Sequence, residues 1–173
     1  MSVMEGVPYR AAVICASDRS FQGLREDKSS IIIEEILTQA GYVLTAKQIL
    51  PDEQQCLADA MRVLADEGSA DLIITTGGTG LSPRDVTPEA TASIIDRSVP
   101  GIPEAMRAES MKITPLGMLS RGIAGTRKKT LIINLPGSPK AVREVLPGIL
   151  PALEHGLRML TGGTQDCAAG ADI

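Results

Sequence analysis

Short apolar runs alternate with amphipathic stretches along most of the chain, and this alternation is typical of an α/β domain with a mainly parallel sheet. The run at residues 11–16 is continuously apolar, as expected of a strand that is buried on both faces. Residues 72–75 have the same character and are predicted to form the most central strand. We predict strands at residues 11–16, 42–50, 72–75 and 130–135, and a hairpin within residues 121–129.

The amphipathic stretches predict the helices. Asp27 is the predicted N-cap of a helix that Gly41 ends, and Thr87 is the predicted N-cap before Pro88 at the first helical position. A helix that begins after residue 53 and ends at Gly68 carries one apolar stripe with helical spacing, formed by Leu57, Ala60, Met61, Leu64 and Ala65. A proline-rich break at residues 100–103 separates the helix after Thr87 from the further helices, predicted at residues 104–111, 141–146 and 151–160.

The chain has 173 residues, which suits one domain of ordinary size. We predict a single domain at residues 9–161, an N-terminal extension at residues 1–8 and a flexible tail at residues 162–173. The hydrophobic fraction of 43% is enough for a full core. Because there is no Trp, one Phe and two Tyr, this core must be aliphatic.

Charge and cysteine content exclude several classes of function. The net charge is −4 and the longest basic run is Arg127-Lys128-Lys129, so nucleic-acid binding is disfavoured. Three cysteines without a CxxC pair, together with a single histidine, disfavour a zinc site and indicate reduced thiols in a cytoplasmic protein. No signal peptide and no membrane-spanning run is recognised. Cys15 lies in an apolar run and is predicted to be a small core residue, and the sequence assigns no chemical role to Cys15, Cys56 or Cys167.

The first candidate site is a glycine loop directly after the predicted central strand, Thr75-Thr76-Gly77-Gly78-Thr79-Gly80. Glycines allow a sharp turn with exposed backbone N–H groups that bind phosphate oxygens, and the threonines would add hydroxyl donors. In open α/β sheets, ligands bind beyond the carboxyl ends of the strands. The loop therefore indicates a phosphorylated ligand, with a tight structural turn as the alternative. It is neither a Walker A loop nor a dinucleotide-binding fingerprint.

Two aspartates lie beyond the ends of predicted strands. Asp52 directly follows residues 42–50, and Asp85 lies just beyond the glycine loop. Each could instead cap the helix that follows, but Thr87 already supplies the predicted cap after Asp85. Arg84 could bind a ligand or remain an ordinary surface charge. Since Mg²⁺ prefers one or two carboxylates together with ligand phosphates and water, we predict that Asp52 and Asp85 share a Mg²⁺ site.

A second loop, Asn134-Leu135-Pro136-Gly137-Ser138-Pro139-Lys140, repeats the arrangement of strand, glycine turn and helix start. A rigid proline turn is the alternative. Ser17-Asp18-Arg19, at the end of the first predicted strand, is either a ligand contact or a turn cluster. His155 lies in a helical pattern and is predicted to be a helix-face residue, so a Ser-His-Asp arrangement is not indicated.

Several of these motifs, taken in order, resemble the molybdenum cofactor biosynthesis family, which includes the G domains of gephyrin and of the plant molybdenum-cofactor protein. The resemblance extends over about residues 9–161 and also includes the segments at residues 27–28, 109–115 and 118–121. The motifs that carry it are Thr76-Gly77-Gly78-Thr79-Gly80, then Pro83-Arg84-Asp85-Val86-Thr87-Pro88-Glu89-Ala90, then Leu135-Pro136-Gly137-Ser138-Pro139, together with Leu50-Pro51-Asp52-Glu53.

The resemblance implies a three-layer α/β/α, molybdopterin-binding-like fold and three groups of site residues. Asp52 and Asp85 match two functional acidic residues of the family, with an expected role in positioning Mg²⁺ and pyrophosphate. The implied nucleotide-phosphate positions are Ser17, Asp18, Thr76, Gly77, Gly78, Thr79 and Gly80. The implied positions around the pterin are Ser110, Ser120, Arg121, Pro136, Gly137 and Ser138.

The resemblance also implies a reaction in which MgATP adenylylates the terminal phosphate of molybdopterin and releases pyrophosphate. Such a transfer needs mainly alignment and charge neutralisation, which suits a site without a reactive His or Cys. The implied partners are molybdopterin, two further copies in a homotrimer, and a separate molybdenum-insertion protein. Two alternatives stay open at this point: a non-catalytic pterin-binding or scaffold protein of the same family, and an unrelated phosphate enzyme on a similar sheet.

Overall fold

The computed structural model describes residues 7–162, which form one six-stranded sheet covered by helices. The strands are β1 (Arg10–Ala16), β2 (Val43–Leu50), β3 (Leu72–Thr76), β4 (Arg97–Ser98), β5 (Ala124–Arg127) and β6 (Thr130–Leu135). The helices are α1 (Asp18–Phe21), α2 (Lys28–Gln39), α3 (Gln54–Asp66), α4 (Thr87–Ala92), α5 (Gly101–Ile113) and α6 (Pro139–Leu160), with a 3₁₀ turn at Pro115–Leu119.

The strand order is β2-β1-β3-β6-β5-β4. The first four strands of this order run parallel, whereas β5 and β4 are antiparallel to their neighbours. In the register, Cys15 lies opposite Thr76, and Thr76 lies opposite Leu135. The parallel strands therefore end side by side, and the loops that follow them meet at one edge of the sheet, which we call the carboxyl edge.

Two aliphatic cores cover the two faces of the sheet, which confirms the predicted three-layer α/β/α arrangement. One core packs β-strand side chains such as Val13 and Ile74 against α2, α5 and α6. The other packs Ile14 and Ile73 against α3 and α4. Cys15 is 6% exposed and belongs to the interior of β1. The alternation of side chains along each central strand explains why both faces are apolar.

The carboxyl-terminal helix differs from its prediction. Residues 139–160 form one helix that continues through Pro147 and Pro151, where we expected two helices. Each proline removes a helical hydrogen bond. Both prolines lie on the exposed side of α6, four residues apart. The opposite side keeps an unbroken buried stripe, so packing outweighs the local preference; this stripe consists of Val142, Val145, Leu146, Ile149, Leu153 and Leu157.

Other local differences have simple causes. The predicted hairpin exists, but its second arm is β6, and its turn contains Lys128 with a φ of 50°. α5 begins at Gly101, before the expected start, because Pro103 falls in the first turn where proline is tolerated. β4, α1 and the 3₁₀ turn are too short to produce a pattern in the sequence.

The boundaries of the predicted domain stay a prediction. Most of the proposed N-terminal extension and tail, together with Cys167, lies outside the described residues. Within residues 7–162, no helix is both long enough and apolar enough to cross a membrane.

Candidate active site

A cavity of about 810 Å³ lies at the carboxyl edge of the sheet. It is formed by the residues after β1, β2 and β3 and by the loop before α6, as expected for an open α/β sheet. Nine of the predicted site residues line it: Ser17, Asp18, Asp52, Thr76, Gly77, Gly78, Asp85, Gly137 and Ser138. The fold thus brings together segments that are more than a hundred residues apart in the chain.

The glycine turn after β3 depends on its glycines. Gly77 and Gly78 have φ values of 90° and 65°, in the left-handed region that favours glycine. A Cβ at Gly77 would collide with the Ala16 carbonyl oxygen, and one at Gly78 would collide with the Thr87 hydroxyl. The Thr87 hydroxyl donates to the Gly77 carbonyl at 2.9 Å. Through this bond Thr87 supports the glycine turn. The prediction that Thr87 is the N-cap was wrong, because Val86 is the N-cap and Thr87 is the first residue of α4.

The threonine hydroxyls have a different role from the predicted one. The Thr76 hydroxyl donates to the Pro136 carbonyl at 2.7 Å, and the Thr75 hydroxyl accepts from Asn134 Nδ2 at 3.0 Å. These bonds fix the glycine turn to the second loop. In the described part of the chain, Thr79 and Gly80 are not among the residues that line the cavity. Close approach of a ligand to this loop therefore depends on the backbone at Gly77 and Gly78.

The carboxylates of Asp52 and Asp18 each accept a hydrogen bond from the backbone N–H of the other residue. The Asp18 N–H donates to Asp52 Oδ2 at 2.9 Å, and the Asp52 N–H donates to Asp18 Oδ1 at 2.9 Å. Asp52 does not cap α3, because Glu53 is the N-cap residue and makes no side-chain cap bond. Asp52 Oδ1 is buried and has no hydrogen-bond partner within the described residues. Burial raises the pKa of Asp52, and the nearby Asp18 and Asp85 charges act in the same direction.

Arg84 forms a bidentate ion pair with Asp18. Its Nε and Nη2 donate to the two carboxylate oxygens, each at 2.9 Å. Arg84 is therefore a paired charge that lines the cavity, and a ligand contact by Arg84 stays a prediction. The hydrogen bonds from Arg84 lower the pKa of Asp18. Both oxygens of Asp18 are thus engaged, Oδ1 by Arg84 and the Asp52 N–H and Oδ2 by Arg84.

Asp85 lines the same cavity as Asp52. Its Oδ2 accepts from the Ser82 N–H at 3.1 Å and lies next to Gly80, where a Cβ would come within 2.9 Å of it. Across residues 7–162 there is no group of three or more His, Cys, Asp or Glu side chains that could hold a metal ion. A cation at this site would have to complete its shell with ligand oxygens and water, which is the usual situation for Mg²⁺.

A second cavity of about 430 Å³ contains most of the residues that the resemblance placed around the pterin. Ser110, Ser120 and Pro136 line it, with Met106 and Ile113 on its apolar wall. Ser138 lines both cavities, so the two meet at the start of α6. Arg121 is not among the residues that line this groove in the described chain. Its guanidinium contacts the carbonyl oxygens of Gly80 and Asp85 instead.

The first cavity has a cationic part formed by Arg19, Arg25 and Lys28; Arg19 belongs to the cluster predicted as a ligand contact or a turn, whereas no site role was predicted for Arg25 and Lys28. All three lie in the segment that follows β1, which had to reach the carboxyl edge. Ser29, also missed, donates to the Gly137 carbonyl at 2.7 Å and fixes the second loop. Their position after a parallel strand was the only signal that could have placed these residues at the cavity, because single basic residues in loops are otherwise uninformative. His155 is exposed on α6, as predicted.

These features define an α/β protein with a charged cavity at the carboxyl edge of its sheet, lined by a glycine turn, carboxylates and basic side chains. Residues 12–155 match the family described as "Probable molybdopterin binding domain". The chain therefore belongs to the molybdenum cofactor biosynthesis family. This assignment replaces the alternative of an unrelated phosphate enzyme on a similar sheet.

Named relatives agree with the assignment. The chain is 42% identical over 154 residues to a molybdopterin adenylyltransferase of Helicobacter pylori, covering 87% of this chain and 86% of that protein. It is 42% identical over 146 residues to the Escherichia coli K12 protein of the same name, covering 83% and 74%. A solved structure of the molybdopterin biosynthesis enzyme MoaB from Thermus thermophilus superposes with a TM-score of 0.84 at 46% identity, covering 89% and 97%.

Proposed function

We propose that this protein is a molybdopterin adenylyltransferase, which transfers AMP from MgATP to the terminal phosphate of molybdopterin and releases pyrophosphate. The names of its relatives support this activity. The observation that carries the proposal is the placement of Asp52 and Asp85 in one cavity beside the glycine turn, with Asp52 Oδ1 buried and unpartnered. A buried carboxylate oxygen without a donor is unfavourable unless a ligand or cation satisfies it.

The residues at this point fit a magnesium ion. Two carboxylates, of which one has an unsatisfied oxygen, match the donor set that Mg²⁺ takes when it also binds phosphates. When bound, Mg²⁺ would neutralise charge on the ATP phosphates. Asp52 and Asp85 would hold it, and the Asp18 N–H would keep the Asp52 carboxylate oriented through Oδ2.

The two cavities suggest where the two substrates bind. Arg19, Arg25 and Lys28 line the larger cavity and would neutralise the ATP phosphates, with the close backbone approach supplied by Gly77 and Gly78. The groove with its apolar wall would take the pterin. Ser138 lies where the cavities meet, and it is the N-cap of the 22-residue α6. A helix N-terminus favours anions, so the terminal phosphate of molybdopterin would lie here.

The reaction would be a direct displacement. An oxygen of the terminal phosphate of molybdopterin attacks the α-phosphorus of ATP, the bond from that phosphorus to the bridging oxygen breaks, and pyrophosphate leaves. No side chain has to form a covalent intermediate. Burial raises the pKa of the Cys15 thiol to about 12, so this cysteine at the cavity floor is not a nucleophile at neutral pH.

The assembly and partners follow the same proposal. We expect a homotrimer, and an exposed apolar surface around the end of α5 supports self-association; it is formed by Met111, Ile113, Leu116, Met118 and Leu119. A separate molybdenum-insertion protein would use the adenylylated product. A cytoplasmic location stays a prediction from the sequence.

The test is to incubate the purified protein with MgATP and molybdopterin and to measure adenylylated pterin and pyrophosphate. Asp85→Asn is expected to lower turnover by at least about 100-fold, because it removes a charge that holds the cation, while circular dichroism and the melting temperature stay near those of the wild type. Normal turnover in this variant would contradict the Mg²⁺ role.

A non-catalytic binding or scaffold role is the second candidate. It is favoured by the match to Dictyostelium discoideum gephyrin, to which the chain is 42% identical over 162 residues. The aligned part covers 22% of the length of gephyrin. Calorimetry would separate the two. Binding of molybdopterin without any transfer of AMP would favour the scaffold.

A further inference from the structure

Arg121 follows Ser120, which lines the groove, yet its contacts are with another part of the molecule. Its Nε donates to the Gly80 carbonyl at 2.7 Å, and its Nη2 donates to the Asp85 carbonyl at 2.6 Å. Its Nη1 forms an ion pair with Glu89. Its backbone N–H donates to the Thr79 carbonyl at 2.9 Å. The guanidinium therefore joins the two ends of the loop at residues 80–85.

This loop carries the carboxylate of Asp85 to the cavity. Inside the loop, the Asp85 N–H donates to the Ser82 carbonyl at 2.9 Å, and Asp85 Oδ2 accepts from the Ser82 N–H. These bonds shape the turn but do not connect it to the rest of the protein. Arg84 connects the loop to Asp18, and Arg121 connects it at both of its ends. A guanidinium presents its donors in a fixed plane and so sets the separation of two acceptors, which the single ammonium group of lysine cannot do.

We propose that Arg121 is a positioning residue that fixes the Gly80–Asp85 loop, and with it the Asp85 carboxylate, and that it does not contact the pterin. The proposal deepens the adenylyltransferase function and rests on it for the consequence in turnover. Its consequence for binding does not depend on turnover. Ser120 and Arg121 would thus serve different halves of the site from adjacent positions, the first at the groove and the second at the carboxylate.

Arg121→Lys tests the proposal, with Arg127→Lys as a matched control. Arg127 also donates through Nε and Nη2, to Asp66 at 2.9 Å and 2.7 Å, but it lies in β5 away from both cavities. Arg121→Lys is expected to lower kcat by about 10- to 100-fold, since small displacements of a catalytic group have effects of this size. The KM for molybdopterin is expected to stay within about twofold. Arg127→Lys is expected to leave both constants within about twofold.

Calorimetry supplies the second readout. The Mg²⁺ complex of a non-hydrolysable ATP analogue should bind Arg121→Lys several-fold more weakly than wild type, whereas molybdopterin alone should bind both equally. A higher KM and weaker binding for molybdopterin with unchanged kcat would make Arg121 a substrate contact and overturn the proposal. A lower melting temperature with unchanged kcat and unchanged binding of the analogue would overturn it as well. If wild type transfers no AMP, the proposed function fails, and the calorimetric comparison still decides the role of Arg121.

Discussion

Asp71 and Asp52 lie at opposite edges of the same sheet, and their carboxylates have opposite surroundings. Asp71 immediately precedes β3, at the amino edge, and accepts from Arg10 through the backbone N–H at 2.8 Å, Nε at 3.2 Å and Nη2 at 2.7 Å. Asp52 follows β2 at the carboxyl edge, where only its Oδ2 has a partner and its Oδ1 is buried without one in the described structure. The protein satisfies one carboxylate and leaves the other incomplete.

The pKa directions express the same contrast. Burial favours the neutral form of Asp71, but the hydrogen bonds from Arg10 outweigh it and lower its pKa. Burial dominates at Asp52 and raises its pKa. A group whose charge is stabilised by the fold contributes to stability, whereas a group whose charge is disfavoured reduces it. The comparison teaches that the fold stabilises the charge of Asp71 and disfavours the charge of Asp52, as expected if a ligand or cation completes Asp52 in the proposed function.

The most direct way to break this comparison is to neutralise each carboxylate. Asp52→Asn should lower adenylyl transfer by at least about 100-fold, because the cation loses its buried charged oxygen. The variant should be at least as stable as wild type, since the amide keeps an acceptor for the Asp18 N–H and carries no buried charge. Asp71→Asn should show the reverse, with a loss of about 1–2 kcal/mol of stability and nearly normal turnover. Kinetics and urea unfolding measure both.

The opposite assignment of the two effects, on stability and on turnover, would contradict the comparison. If Asp52→Asn destabilised the fold and Asp71→Asn impaired turnover, the unpartnered oxygen would not mark the functional edge. The two variants make the same chemical change, so the side-chain substitution itself cannot account for a difference.

Gly68 and Gly78 allow the same comparison for the backbone, because they share a conformation but differ in their surroundings. Gly68 and Gly78 have nearly equal φ values of 66° and 65°. Space around Gly68 is open, because no atom lies within 4 Å of an added Cβ, whereas a Cβ at Gly78 collides with Thr87 and comes within 3.3 Å of Asp52 Oδ1. Gly68→Ala should lower stability by about 1 kcal/mol, from backbone strain alone. Gly78→Ala should lower it by more than about 3 kcal/mol, since overpacking adds to the strain.

Equal losses of stability in the two alanine variants would mean that the glycine turn yields to a side chain and is not tightly packed against α4 and Asp52. Turnover provides a second measure. It should fall in Gly78→Ala, because the added methyl group displaces the Asp52 carboxylate, and it should be unchanged in Gly68→Ala.

The patterns that the sequence carries strongly were enough for most of the fold. Continuous apolar runs located the central strands β1, β3 and β6, and helical spacing located α3, because both signals are local. The alternation of strands and helices along the chain was sufficient to predict a mainly parallel sheet. The single helix across Pro147 and Pro151 was not predictable locally, since its cause is the continuous buried side of α6.

The candidate site could be predicted in its location but not in its bonding. Loops after parallel strands had to meet, so placing Asp52 near Asp85 needed only topology. The ion pair of Asp18 with Arg84 joins residues that are 66 positions apart, and the bonds from Arg121 to the Gly80 and Asp85 carbonyl oxygens span 41 and 36 positions. No periodic pattern connects such residues. Thr75 and Thr76 show the same limit, because hydroxyls next to a glycine turn look alike whether they face a ligand or a neighbouring loop.

The smallest expected effect concerns pH, and it extends the contrast between the edges to a second amino-edge carboxylate. Hydrogen bonds from Arg127 and Lys128 lower the pKa of Asp66 to about 2. A lowered pKa gives stability that is present above about pH 4, the ordinary value, and is lost as the pH falls toward 2. Asp66→Asn should thus be less stable than wild type at pH 7, and the difference should shrink toward pH 2. Urea unfolding across this range measures it.

Asp52 should give the opposite sign in the same titration. Its folded pKa is raised, so the folded state takes up a proton more readily than the unfolded chain, and protonation relieves a penalty that is largest at neutral pH. Asp52→Asn should gain stability over wild type at pH 7, and this gain should vanish as the pH falls through the folded pKa, before the Asp66→Asn difference has closed. If both variants were less stable than wild type at pH 7, the charge of Asp52 would stabilise the fold as the charge of Asp66 does. The unpartnered oxygen of Asp52 would then not indicate a ligand site.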